Sequence, residues 1–218
     1  MGKISEEVGR ANRNFVRGNL PEGTFVITYD DGPHAVNTLK LMDLWNKSGL
    51  AKPSFFRLSH LVQKHENIVS KAVTDKFDIA LHSERHLDLG NISKSIQKSD
   101  LNRVNRDKLK PELASIPDSG PKYIQWRDST LNREIILAAN TINTVVRKFN
   151  PNYKLKSFRL PFGSGVRNTR LGNRLQQVNL DHYYWAVDSL DWQDKNPESV
   201  FARVTNQMLA AKRGRILS

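Results

Sequence analysis

Short runs of β-branched and aromatic residues recur along this chain, and most are followed by a stretch with helical spacing. Gly23 to Tyr29 (GTFVITY), Pro53 to Leu58 (PSFFRL), Phe77 to Leu81 (FDIAL), Ser157 to Leu160 and Tyr183 to Val187 (YYWAV) read as buried strands. A helix is expected after Asn37, a good N-cap, with Leu41, Met42, Leu44 and Trp45 turned inward until Gly49. Further helices are expected over Leu61 to Thr74, Leu131 to Lys148 and Asn168 to Val178. In the second of these Ile135, Ile136, Ala139, Ile142 and Val146 supply the inner stripe. The last helix has its start written plainly, with Asn196 as N-cap, Pro197 at the first helical position and Glu198 beside the dipole. Val200, Val204 and Met208 form its inner face, Gly214 stops it, and Arg215 to Ser218 opens one more strand. Strands alternating with helices imply parallel pairing. No Gly-rich phosphate loop follows any strand, so the α/β class narrows to a (β/α) barrel rather than a nucleotide-binding doubly wound sheet.

The length, 218 residues, suits one domain. Residues 1–22 read as an N-terminal extension and 23–218 as the domain. A segment near 91–126 is polar and broken by Pro111, Pro117, Gly120 and Pro121, and reads as an inserted, partly helical excursion on the surface. Nothing approaches the ~18 consecutive apolar residues of a membrane span. Met1 to Leu20 has no apolar core of a secretory signal. The absence of cysteine excludes disulfides and thiolate metal sites. The net charge of +12 favours contact with anionic polymers, but no run of five like charges and no nucleic-acid motif accompanies it. No nucleic-acid partner is therefore expected.

Four clusters fall at or just beyond the C-terminal ends of the expected strands: Asp30-Asp31, His82 with His86, Arg159 to Phe162, and Asp188 to Trp192. In a (β/α) barrel those ends share one face, where active sites sit. On a helical turn His82 and His86 would present both imidazoles to one ion. Taken alone, they read equally as surface or capping histidines. Asp30 and Asp31 point differently from the strand end, so one carboxylate can bind metal while the other takes a proton. As an isolated Asp-Asp-Gly-Pro the same residues are ordinary turn chemistry. With both histidines, Asp31 completes a two-His, one-carboxylate set that leaves positions open for water and substrate. Arg159 could pair with Asp30, or be a surface arginine before a turn. Trp185 and Trp192 fit core or rim positions as well as sugar platforms.

Together these segments resemble the polysaccharide deacetylase family, the NodB-homology carbohydrate esterases of family 4. Its TFDDGP motif appears as Thr28-Tyr29-Asp30-Asp31-Gly32-Pro33, its H-[ST]-x-x-H as His82-Ser83-Glu84-Arg85-His86, its R-x-P-[YF] as Arg159-Leu160-Pro161-Phe162 and its D-x-x-D-W as Asp188-Ser189-Leu190-Asp191-Trp192. All four stand in the family's order. The resemblance implies a distorted or incomplete (β/α) barrel and N-deacetylation of a glycan, peptidoglycan first. Chitin oligosaccharides, acetylxylan and a degenerate glycan-binding module are the alternatives. Asp31, His82 and His86 would bind a divalent metal, zinc by family habit. Asp30 would be the general base, tethered by Arg159. The metal and the Phe162 N–H would hold the oxyanion, Pro161, Phe162 and Trp192 would line the substrate site, and Asp188 would partner a fifth-motif histidine acting as acid. The chain stops at Ser218 before such a histidine, so a record cut short is expected. The family's habits also imply a secreted, periplasmic or cell-wall location.

Overall fold

The computed structural model describes residues 14–15, 21, 23–210 and 215–217. Its first half runs β1 (Asn14–Phe15), β2 (Phe25–Tyr29), α1 (Asn37–Ser48), β3 (Ser54–Arg57), α2 (Ser59–Lys64), α3 (Glu66–Thr74) and β4 (Asp78–Leu81). Helices α4 (Leu89–Lys94), α5 (Arg103–Leu113) and α6 (Pro121–Asn132) follow, and a π-turn (Arg133–Leu137) joins α6 to α7 (Ala138–Arg147). The chain continues through β5 (Ser157–Phe158), α8 (Thr169–Gln177), β6 (Asp181–Tyr183), α9 (Pro197–Leu209) and β7 (Arg215–Leu217).

All seven strands lie parallel, in the order β1-β6-β5-β4-β3-β2-β7. Curved and flanked by helices, this is the incomplete (β/α) barrel that the alternation of elements implies. The register explains where chemistry can gather. Arg57 is paired with Leu81, Leu81 with Phe158, and Phe158 with His182. Tyr29 is level with Phe55, so two residues further on Asp31 comes abreast of Arg57. The residues that follow these strands therefore emerge on one rim. Beneath it Phe55, Ile79, Leu81 and Phe158 pack against Met42 and Trp45 of α1 and the stripe Ala138, Ala139, Ile142, Val145 and Val146 of α7.

Several expectations change in detail. Asn37 is the first helical residue of α1 and not its cap. His34 does that work: its Nδ1 accepts the N–H groups of Val36 and Asn37, each at 3.2 Å, and its own N–H meets Thr38 Oγ1 at 2.9 Å. Leu44 points to solvent, 64% exposed, because Thr38, Met42 and Trp45 define the inner face. The expected helix over 61–74 is two helices, broken at His65 (φ −126°, ψ 50°).

Residues 91–126 are helical but not merely superficial. Ile92, Leu101, Leu109 and Tyr123 are fully or almost fully buried and most join the core. Pro121 begins α6 at a position where its missing N–H costs nothing, so the long helix starts ten residues earlier than Leu131. β6 covers Asp181–Tyr183 instead of the apolar run Tyr183 to Val187. α9 has its Asn196 cap, whose side chain accepts from Glu198 N and Ser199 N, yet buries no residue fully. Val200, Val204 and Met208 are half-buried. Gly214 and residues 1–13 lie outside the described residues; β7 forms where a further strand was expected and pairs with β2. Among the described residues no helix is long and apolar enough to cross a membrane.

The β6 shift has a physical reason and a consequence. His182 is fully buried, against Phe158 and Tyr184, and neither ring nitrogen finds a partner among the described residues. Burial, with the Arg159 and His82 charges adding to it, pushes its pKa from 6.5 down to about 3. The unfolded chain takes up a proton below pH ~6.5 that the fold refuses, so stability falls as the pH drops toward 3. His182→Phe is expected to remove up to about 1.4 kcal/mol per pH unit of that loss, read from urea unfolding between pH 6 and 4. An unchanged slope contradicts this account of His182.

Candidate active site

β2 delivers Asp30 and Asp31 to the rim. Asp31 adopts a left-handed conformation (φ 64°), as does Gly32 (φ 66°). Arg57, at the end of β3, holds this bend by donating from Nη1 to the Asp31 carbonyl at 2.8 Å. A Cβ at Gly32 would come within 2.8 Å of that nitrogen, so the turn needs glycine for space as well as for its backbone angle. The Arg57 guanidinium stacks on Phe55, and burial lowers its pKa to about 9 against the pull of Asp30 and Asp31.

β4 runs directly into His82, whose N–H donates to Arg57 O at 2.8 Å. Its Nδ1 lies 2.9 Å from Arg159 O. A carbonyl only accepts, so Nδ1 carries the proton and Nε2 offers its lone pair to the rim. The chain then turns through Ser83 (φ 70°) to His86 (φ 58°), with Ser83 Oγ accepting the His86 N–H at 3.0 Å. This is a tight turn rather than the helical turn that the i, i+4 spacing suggests, and it still points both imidazoles at one place. His86 Nε2 is 3.5 Å and His82 Nε2 3.8 Å from Asp31 Oδ1.

Asp31, His82 and His86 form a group whose ligand atoms all lie within 4.8 Å of one another. Three donors at ~2.0–2.2 Å from a tetrahedral ion stand about 3.3 Å apart, so the set fits a divalent metal such as zinc with little movement. Burial, partly opposed by the Asp31 carboxylate, depresses the His86 pKa to about 4, so this imidazole stands neutral.

Arg159 follows β5 and is fully buried. Its Nη1 donates to Asp30 Oδ1 at 2.6 Å and Thr28 Oγ1 at 2.8 Å, its Nε to Tyr183 O at 3.0 Å, and its plane stacks on Phe56. Burial lowers its pKa and Asp30 opposes that. The other Asp30 oxygen, Oδ2, lies 3.9 Å from His82 Nε2, beside the ligand group. Pro161 is buried, while Phe162 is left-handed (φ 60°), 51% exposed and edge-on to His86 with ring centroids 4.6 Å apart.

The fourth motif stands further back. Asp188 Oδ2 accepts from Trp185 Nε1 at 3.0 Å, and Trp185 stacks on Tyr184 and lies near the Arg159 guanidinium. The side-chain amide of Gln207 in α9 brackets the Asp188 backbone, its Oε1 accepting the Asp188 N–H and its Nε2 donating to Asp188 O. Trp192 is 71% exposed on the turn after Asp191. Arg57 is not singled out by the sequence, where it reads as one more polar residue in an apolar strand; its place at a strand end directly after paired phenylalanines was the available signal.

A family model described as polysaccharide deacetylase matches residues 17–140. The Bacillus subtilis (strain 168) protein YheN, provisionally named a polysaccharide deacetylase, is 26% identical over 185 residues, 84% of this chain and 51% of that protein. The chain thus spans about half the length of that curated relative. Among solved structures, a CE4 family pseudoenzyme from Bacillus anthracis superimposes with a TM-score of 0.66 at 15% identity, covering 94% of this chain and 57% of the other. Peptidoglycan deacetylase PdaC from Bacillus subtilis gives 0.58 at 23% identity over 90% and 74%. At these identities the superpositions speak for the fold alone.

The Arg159–Asp30 pair yields a stability prediction. Arg159→Met leaves Asp30 and Thr28 without their shared donor, and is expected to cost about 3 kcal/mol or more in urea unfolding. Arg159→Lys is expected to recover only part, since one ammonium cannot reach Asp30 and Tyr183 O together. A loss below about 1 kcal/mol for Arg159→Met would mean the pair does not organise the rim.

Proposed function

The chain belongs to the polysaccharide deacetylase family, and we propose that it is a metal-dependent hydrolase that removes the N-acetyl group from amino sugars of a glycan, with peptidoglycan the favoured substrate. The observation that carries this reading is the convergence of Asp31, His82 and His86 beside a carboxylate that a buried arginine holds in place. Asp31, His82 and His86 are the residues that would hold the metal, zinc being favoured. Once bound, such an ion supplies acidified water and polarises the acetyl carbonyl.

The chain's own residues supply the rest. Asp30 is the general base: Arg159 donates to its Oδ1, and Oδ2 lies toward the ligand group, where it would accept the proton of the attacking water. His82 keeps its proton on Nδ1, on Arg159 O, so it cannot compete for that proton from Nε2 while it ligates. Phe162, with its left-handed backbone, offers its N–H to the developing oxyanion, and its exposed ring beside His86 forms one wall of the acetyl site with Pro161. Trp192 forms the outer wall. Asp188 would partner the fifth-motif histidine that the family pattern assigns as acid for the leaving amine, and through Trp185 it supports Arg159. The net charge of +12 suits a surface drawn to an anionic cell-wall polymer, with no nucleic acid involved.

A second reading, a glycan-binding chain that does not hydrolyse, is favoured by one observation: a CE4 pseudoenzyme shares this fold. The complete donor set and the tethered Asp30 weigh against it, because a binder needs neither.

Acetate release from peptidoglycan and from N-acetylglucosamine oligomers, with zinc added, tests both readings. Asp30→Asn is expected to lose at least ~10²-fold in rate while zinc binding persists. His82→Ala is expected to lose zinc and activity together. Full activity in Asp30→Asn contradicts the proposed base, and glycan binding without acetate release by the unaltered chain favours the second reading.

A further inference from the structure

The turn that carries His86 has two non-glycine residues in the left-handed region within four positions, Ser83 and His86. Such backbone persists only where its surroundings over-determine it. One contact is internal, the Ser83 hydroxyl on the His86 N–H. Others come from α2, where the Ser59 N–H donates to Ser83 O at 3.1 Å and His60 Nδ1 meets Glu84 O, and the rest come from α5 and from the π-turn after α6.

Glu134 sits in that π-turn and is fully buried. Its Oε2 accepts the backbone N–H groups of Glu84 and Arg85 at 3.1 and 2.9 Å, and its Oε1 accepts Arg85 Nε at 2.8 Å. From the opposite side Lys108 of α5 donates Nζ to His86 O at 2.7 Å and Arg85 O at 3.3 Å. Glu112 of α5 braces the arrangement by accepting from Arg85 Nη1 and from Arg133 Nη2. A buried carboxylate is costly unless its oxygens are filled, and here they are filled by the turn between the two histidines. Two N–H groups of the turn go to Glu134 and two of its carbonyls go to Lys108. π-turns recur at functional sites because the extra residue re-aims a side chain, here Glu134.

We propose that Glu134 and Lys108 are positioning residues of the metal centre: they clamp the 83–86 turn from its donor and acceptor sides, and so set His86 opposite Asp31 before any ion binds. This rests on the metal-centre reading above. Neither residue touches the ligand atoms; both act through the backbone between the histidines. Were Glu134 only a buried ion-pair partner for Arg85, its loss would lower stability and leave metal affinity alone.

The test uses the full chain with Glu134→Gln and Lys108→Met, and measures zinc affinity by chelator competition, the visible spectrum of the Co²⁺ form, and amide exchange at 84–86 in the metal-free protein. Glu134→Gln is expected to weaken zinc ten- to hundredfold, as removal of outer partners of a metal site does. Lys108→Met, exposed and so tolerated by the fold, is expected to lose about two- to tenfold, the worth of one net hydrogen bond. Both are expected to alter the Co²⁺ spectrum and speed exchange at Glu84 to His86. Zinc affinity within twofold of the unaltered chain in Lys108→Met, or in folded Glu134→Gln, overturns the clamp. Absence of zinc binding by the unaltered chain is a different outcome: it overturns the metal centre itself, and the clamp as a metal-positioning device with it.

Discussion

Arg159 binds three other strand ends at once. Its guanidinium reaches Thr28 and Asp30 at the end of β2 and the Tyr183 carbonyl at the end of β6. Its backbone N–H donates to Leu81 of β4, and its carbonyl takes the His82 Nδ1 proton. Parallel strands in register bring these ends to one rim, but register alone does not orient side chains. A charge buried this deeply would be untenable without partners, and Asp30 supplies the opposite charge. The orientation of the Asp30 carboxylate and the tautomer of His82 are thus fixed by a single residue. Loss of that residue is felt by β2, β4 and β6 together.

The two halves of the Asp31, His82 and His86 group are secured differently. Asp31 depends on a left-handed turn whose carbonyl is held by Arg57, with glycine next to it because nothing larger fits. His86 depends on a turn held from outside by α5 and the π-turn. His82 alone is an extension of a strand, and it is the most buried of the three. The exposed side of the group is therefore the Asp31 side.

Much of this was legible in the sequence because the carriers are local. An Asp-Asp-Gly-Pro after a β-branched run must turn, and a strand that ends in histidine delivers it to the rim. The amphipathic stripe of α7 and the Asn196-Pro197-Glu198 start of α9 were readable for the same reason. Where long-range packing decides, the pattern misleads. β6 was sought in the apolar run 183–187, yet the strand includes Asp181 and His182, since a neutral, buried histidine behaves as core. Leu44 looks inward by composition and faces water because Thr38, with its hydroxyl on the His34 N–H, takes the inner side. Glu134 was invisible: in a helical stretch a glutamate reads as solvent-facing, and only the fold shows two backbone N–H groups ending on it. The prolines of 111–121 read as interruptions of a partly helical surface excursion, whereas Pro121 starts a helix and Pro111 is carried inside one.

The central claim is that three side chains from two strand ends form one preorganised metal site. X-ray absorption at the zinc edge of the stoichiometrically loaded chain tests it most directly. The account predicts two imidazole nitrogens and one carboxylate oxygen at ~2.0–2.2 Å, with the remaining coordination from light solvent oxygens, and loss of one imidazole in His86→Ala. A shell with no imidazole, or one unchanged in that variant, would contradict it.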